Sequence, residues 1–260
     1  VLSGLLMKLG FAEWLGKRIG RPFRALFGVS DCCVAAVLTG LLCGFPTGAV
    51  AAASLYRRGL CGEEDYRRTL LLSSFAAPGF VIAGVGGGLL GSTRRGLLLF
   101  LLQLSASLAV GLLFSLFKRN EAAGDYLTPT GGERSPLICL SQAIREAADG
   151  IVGICGSVIF FSVFSGLVSS LPFLPPVLRC LLASFFELTS GMALSASTLS
   201  PDAAFLLSAA AIGWAGVSVH AQTALVSEDG RLPASYLLGK ALTSLLTAFF
   251  ALLSLKIGLI

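Results

Sequence analysis

Charged residues are scarce in this chain. Asp, Glu, Lys and Arg make up 13% of its 260 residues, against about 25% in soluble domains. Hydrophobic residues make up 55%, and the mean hydropathy is +0.86. So few charges cannot cover a soluble protein of this length, which excludes soluble, disordered, collagen-like and disulfide-scaffold classes. Histidine occurs once, as His220, with no acidic pair beside it, so no metal site is expected. H-E-x-x-H, G-x-S-x-G and the P-loop are all absent, so an enzyme is not expected. Seven cysteines occur in odd number, without C-x-x-C and mostly in apolar runs, which suits small buried hydrophobes. The net charge of +5 follows from the positive-inside rule. Its basic residues are not interleaved with aromatics, so nucleic acid is not an expected partner. What remains is a polytopic, all-α integral membrane protein, with the lipid bilayer as its surroundings and partner.

Seven apolar runs are present: Cys32–Tyr56, Thr69–Thr93, Gly96–Phe117, Gly150–Leu178, Cys180–Pro201, Ala203–Ser227 and Leu232–Leu255. Each has about 20 residues or more, enough to cross roughly 30 Å of hydrocarbon as a helix. Four are interrupted: the first by Gly44-Phe45-Pro46-Thr47-Gly48, the second by Ala77-Pro78-Gly79, the fifth by Glu187-Leu188-Thr189-Ser190-Gly191, and the sixth by Gly213–Ser218. Non-helical backbone at membrane depth survives only where protein or a wet cavity satisfies it. Ahead of the runs, Lys17, Arg18, Arg21 and Arg24 alternate with Leu15, Ile19, Phe23 and Phe27, the pattern of an interfacial amphipathic helix.

The order of events repeats. Thr47-Gly48-Ala49, Phe75-Ala76-Ala77 and Leu97–Phe117 have counterparts 143, 139 and 138 positions on, at Ser190-Gly191-Met192, Trp214-Ala215-Gly216 and Ser235–Leu255. Charge then tests the topology. If the first broken run is a hairpin entering and leaving on one side, fifteen of the 19 basic residues share a face, from Lys8 and the Lys17–Arg24 cluster through Arg57, Arg58, Arg67 and Arg68 to Arg145, with Arg231 and Lys240 near it. Arg94, Arg95, Arg179 and Lys256 take the other face. A full crossing would erase that bias, so the hairpin is favoured and the rich face is cytoplasmic. The same count inverts the second hairpin.

The expected fold is two inverted-topology repeats, each with a re-entrant helical hairpin, a discontinuous helix and an intact transmembrane helix. The expected organisation is an interfacial helix over 1–28; a first repeat over 29–118, with hairpin 29–59, broken helix 63–92 and helix 94–118; a loop over 119–135; a linking transmembrane helix over 136–171; and a second repeat over 176–257, with hairpin 176–200, broken helix 201–227 and helix 233–257.

The candidate substrate-binding residues follow from the breaks. Gly44, Phe45, Pro46, Thr47 and Gly48 form a tip whose backbone N–H groups suit an anion, or a simple tight turn. Glu187 is an acid deep in an apolar run; it needs a partner, a proton or a cavity, or it caps a helix. Thr189, Ser190 and Gly191 stand beside it, and the tips are expected to meet near the midplane. Ser218 closes the sixth-run break, and His220 and Gln222 follow it. His220 and Gln222 share a face only if the backbone there is extended; otherwise His220 is a packing residue. Asp31, Ser73, Ser74 and Gln103 are secondary candidates. No cofactor is expected beyond a coupling ion, a proton or sodium.

Four segments carry a family resemblance. Gly44–Gly59, GFPTGAVAAASLYRRG, resembles the G-[FY]-P-x-G-A-K…L-[YR]-x-x-G signature of sporulation integral membrane proteins of YlbJ/SpoVV type. FAAPGFVIAGVGGGLLG (Phe75–Gly91), FFELTSG (Phe185–Gly191) and WAGVSVHAQT (Trp214–Thr223) are similar to further segments of that family. Val50 stands where the family carries lysine, and Phe75-Ala76-Ala77 where it is polar before the proline. The resemblance implies nucleoside-recognition gate domains, similar to concentrative nucleoside transporters. It further implies a membrane transporter or facilitator of a small anionic or nucleoside-like solute, dipicolinate during sporulation, in the outer forespore membrane. The alternative is a non-transporting sporulation membrane protein acting as partner or scaffold. A homo-oligomer or other sporulation membrane proteins are the protein partners it suggests. A further helix ahead of Val1 is also expected from the family.

Overall fold

In the computed structural model, which describes residues 2–117 and 135–259, every element of regular structure among the described residues is a helix. A chain this apolar has no water with which to satisfy open backbone, and helices satisfy it internally. Among the described residues, four helices are long and apolar enough to cross a membrane: Thr93–Leu116, Leu137–Ser169, Pro201–Val226 and Ala234–Lys256. They fit a multi-pass membrane protein. Leu137–Ser169 is buried over only 6% of its apolar window, against 72% for Pro201–Val226. The former turns its side chains outward, and the latter, which carries a break, is an inner element. The expected loop at 119–135 lies outside the described residues, Ser135 excepted.

The chain divides into two compact units. The first comprises Val1–Phe75, Gly111–Ile154 and Thr223–Tyr236. It opens with α1 (Leu2–Lys8), α2 (Phe11–Leu15), a π-wound turn (Gly16–Gly20) and α3 (Arg21–Phe27). The amphipathic helix expected here is interrupted at Gly10; from Phe11 to Phe27 the backbone is continuously helical through the π-wound turn, and it stops at Gly28. Ala12, Leu15 and Phe27 are buried, whereas Trp14 and Ile19 are exposed. Gly20 lets the backbone pass so close to Asp31 that an added Cβ would fall 2.4 Å from the Asp31 Cβ.

Helices α4 (Cys33–Cys43) and α5 (Thr47–Arg57) pack side by side, and both pack on α6 (Glu63–Leu72). Small residues make that approach possible. A Cβ on Gly40 or Gly48 would lie 1.9 or 2.3 Å from the Ser73 carbonyl oxygen. The chain reverses at Gly44, whose φ of 79° suits glycine, and the Phe45–Pro46 bond is cis. The open ends of the pair carry ions. Arg24 Nε lies 3.2 Å from Asp31 at the start of α4. At the end of α5, Arg58 pairs with Glu13 and donates to the Met7 carbonyl at 2.6 Å. Arg57 reaches Glu228 at 3.4 Å, and Asp65 accepts hydrogen bonds from the Ser30 N–H and hydroxyl.

The second unit comprises Ala76–Val110, Cys155–Gln222 and Leu237–Ile260. A π-wound helix (Gly79–Leu89) precedes α7 (Thr93–Phe117), and Gly86 and Gly96 let the two touch backbone to backbone. After α8 (Pro136–Ser169) come α9 (Pro176–Phe186) and α10 (Leu188–Thr198), a packed pair. Gly191 sits against Ser184, where a Cβ would be 2.2 Å from the backbone nitrogen. Helix α11 (Pro201–Trp214) packs on both members and is followed after one residue by α12 (Gly216–Val226). Helix α13 (Ala234–Lys256) crosses α11 closely at Gly213 and Ser244, whose hydroxyl donates to the Ala210 carbonyl at 2.7 Å. Arg95 pairs with Asp202 at 2.7 Å.

Candidate functional site

The second unit joins two helix breaks. At the first, Glu187 leaves the helical region (φ −137°, ψ 118°), ending α9 and capping α10. Its carboxylate accepts hydrogen bonds from the N–H of Thr189 at 3.1 Å and of Ser190 at 2.6 Å. An acid 5% exposed is thereby held by two first-turn donors and by the positive end of α10. Of the two roles open to Glu187 from sequence, the structure has the cap. The Thr189 side chain is exposed and that of Ser190 half-buried, so their backbones make the contacts.

At the second break, Ala215 takes a left-handed φ of 79° and Gly216 one of 81°. An alanine in that region is uncommon, and the surroundings hold it. Trp214 Nε1 donates to the Phe185 carbonyl at 3.3 Å, and its ring stacks on Phe185 with centroids 5.4 Å apart. A Cβ on Gly216 would lie 3.1 Å from the Leu188 nitrogen, so this break abuts the one at Glu187.

Helix α12 then carries the remaining candidates. The backbone from Gly216 is helical, not extended, so His220 and Gln222 do not share a face. Gln222 Nε2 instead donates to Ser218 Oγ at 3.2 Å, one turn back. The His220 ring meets Trp214 edge-on at 4.5 Å. All three side chains are buried.

The residues Gly44–Gly48 belong to the first unit. Gly44, Pro46 and Gly48 are buried there, and Phe45 and Thr47 half-buried. The Thr47 hydroxyl and N–H both turn to the Gly44 carbonyl, and the Val50 N–H donates to the Pro46 carbonyl. Also in this unit, Asp31 pairs with Arg24, and Ser74 lies 3.3 Å from the Tyr236 hydroxyl.

Two polar groups of the second unit stand out. Gln103, on α7, is fully buried, and neither its amide oxygen nor its nitrogen has a hydrogen-bond partner. Such groups are uncommon in folded chains and point to water or a ligand. Lys240, on α13, is 1% exposed. Sequence reasoning counted Lys240 near the cytoplasmic face and did not name it as a site residue; the structure buries its side chain. The available signal was a lone lysine inside the run Leu232–Leu255. Among the described residues, no three His, Cys, Asp or Glu side chains group as a metal site. Comparison with family models, with curated proteins and with solved structures returns no match to the chain.

Proposed function

We propose that the chain is a secondary transporter or facilitator of a small anionic or nucleoside-like solute, with dipicolinate the first candidate by sequence resemblance. The observation that carries this reading is the contact between the Glu187 and Ala215–Gly216 breaks, with buried Ser218, His220 and Gln222 on the helix that follows. Helix breaks and buried polar side chains in an apolar chain are the materials of a solute site. In this reading α4–α5 and α9–α10 are re-entrant hairpins of two inverted repeats. Each arm has 11 residues, about 16 Å, or half the hydrocarbon thickness. A proton or a sodium ion drives the step, and the outer forespore membrane is the location that the dipicolinate role implies.

Thermal unfolding of the detergent-purified protein against dipicolinate, nucleosides and related acids tests the reading. A true ligand at 100 times its Kd adds about 2.7 kcal/mol to stability, which appears as a saturable rise in Tm. A panel that leaves Tm unmoved contradicts the reading and favours a partner or scaffold role. A scaffold would also tolerate apolar replacement of Thr189, His220 and Gln222 together. Glu187 is excluded from that comparison because its loss uncaps α10.

A further inference from the structure

We propose that the groove between α9, α11 and α13 holds one acyl chain of a membrane phospholipid, whose phosphate lies on Arg94 and Lys256 at the groove's charged end. The inference goes beyond the transport reading and needs only a chain set in a bilayer. The groove has a volume of about 450 Å³, and every side chain on its wall is apolar, among them Leu181, Ala203, Ala210, Leu245, Ala248 and Leu252. A smaller cavity of about 140 Å³ shares Leu181 and Ala210 with it and runs on to Phe185 and Trp214, at the helix breaks. There the Ser244 hydroxyl donates to the Ala210 carbonyl at 2.7 Å, and Trp214 Nε1 to the Phe185 carbonyl at 3.3 Å. The Ser184 hydroxyl lies against Gly191 of α10. The outer rim is open, with Leu245 and Phe249 exposed. An apolar groove of this kind, on helices of spanning length, marks a contact with a ligand or with the membrane.

Length, width and charge choose the occupant. From Ala203 to Trp214, α11 rises about 16 Å. That is half of a hydrocarbon core of roughly 30 Å, the reach of an acyl chain in one leaflet. The part from Ala203 to Ala210 is about 10 Å long, so its volume gives a cross-section on the order of 40 Å², about half that of an α-helix 10 Å across. A hydrocarbon chain enters such a slot; a helix of a second copy does not. Ala203, near the start of α11, and Leu252, near the end of α13, share the wall, so these helix ends mark one end of the groove. Charge gathers there. Lys256 follows Leu252 by one turn on the same face of α13 and is exposed. Arg94 donates to the Leu259 carbonyl at 2.8 Å, which brings it to the same end. Asp202, the residue before Ala203, is balanced by Arg95 at 2.7 Å. Arg94 and Lys256 therefore leave an excess of positive charge where the groove meets the headgroups, and basic pockets between spanning helices select anionic lipid.

The test titrates phosphatidylglycerol and phosphatidylcholine of the same acyl chains into the delipidated, detergent-purified full chain, read by native mass spectrometry. A cation beside an anionic headgroup is worth about fivefold in affinity. Wild type is therefore expected to bind one phosphatidylglycerol per chain at least about tenfold tighter than phosphatidylcholine. Lys256→Gln, at an exposed position, should lose about fivefold for phosphatidylglycerol and leave phosphatidylcholine unchanged. Ala248→Phe, which fills the groove, should weaken both lipids. Equal binding of the two lipids by wild type, or binding of neither, overturns the proposal even if Ala248→Phe does not fold. A folded Ala248→Phe with wild-type lipid binding overturns it too. A dimer that Ala248→Phe splits would assign the groove to a second copy and overturn it as well. None of these outcomes touches the transport reading, which the solute panel tests separately.

Discussion

Replacing Glu187 with alanine takes both acceptors from the first turn of α10 at once. The Thr189 and Ser190 N–H groups lose partners at 3.1 and 2.6 Å, in a break where the capping residue is itself buried. Losing an N-cap costs about 1 kcal/mol and up to 2. The lost charge–dipole attraction adds about 0.3–1 kcal/mol, more where the site is partly buried. Any donor left dry adds about 1–3 kcal/mol. Because the cap loss already contains part of the cost of the unpaired donors, together these give a loss of about 2–4 kcal/mol for Glu187→Ala. Glu187→Gln keeps one acceptor oxygen but sets an NH2 group against the other N–H, and it should lose about 1–2 kcal/mol on the same terms. At roughly 2–4 °C per kcal/mol for a chain of this size, alanine should lower Tm by on the order of 10 °C and glutamine by about half that. Thermal unfolding in detergent, followed by circular dichroism, reads both. An alanine variant that melts within about 2 °C of wild type, by the same conversion, would refute the capping argument and return Glu187 to the list of residues that act on the solute.

Two further predictions follow from geometry and charge. Gly40→Ala and Gly191→Ala each drive a methyl group into backbone, at 1.9 Å from Ser73 O and 2.2 Å from Ser184 N; each should destabilise by about 2–3 kcal/mol or prevent folding, while Gly156→Ala, with nothing within 4 Å, should melt like wild type. Arg24→Cys and Arg57→Cys in a cysteine-free background should label from the same, cytoplasmic side of the membrane; labelling from opposite sides would end the hairpin reading of α4–α5 and the charge argument behind it.

Much of this architecture is legible in residue types. An apolar chain with few charges announces helices of spanning length, because composition alone fixes the solvent it must live in. The bend at Gly44–Pro46 and the left-handed step at Ala215–Gly216 are marked by glycine and proline, whose backbone effects are local. What is not local is harder to read. Glu187 in an apolar run suits a cap and a binding site equally, and only the direction of its side chain separates them. The amphipathic pattern over Lys8–Phe27 hides a stop at Gly10, because polar and apolar positions keep their rhythm on both sides of the bend. The π winding of Gly79–Leu89 leaves no mark among its glycines. Lys240 misleads most: near the end of a run a lysine reads as a flank, and its burial shows only in the folded chain.

The most direct test of the transport reading is uptake by the purified protein reconstituted into vesicles, with labelled dipicolinate and labelled uridine as parallel solutes across an imposed proton or sodium gradient. The account predicts uptake of at least one solute above protein-free vesicles, saturable, competed by the unlabelled compound, and lost in the triple variant in which Thr189, His220 and Gln222 are replaced by apolar residues. Uptake indistinguishable from protein-free vesicles for both solutes, with the protein folded and inserted, would contradict it.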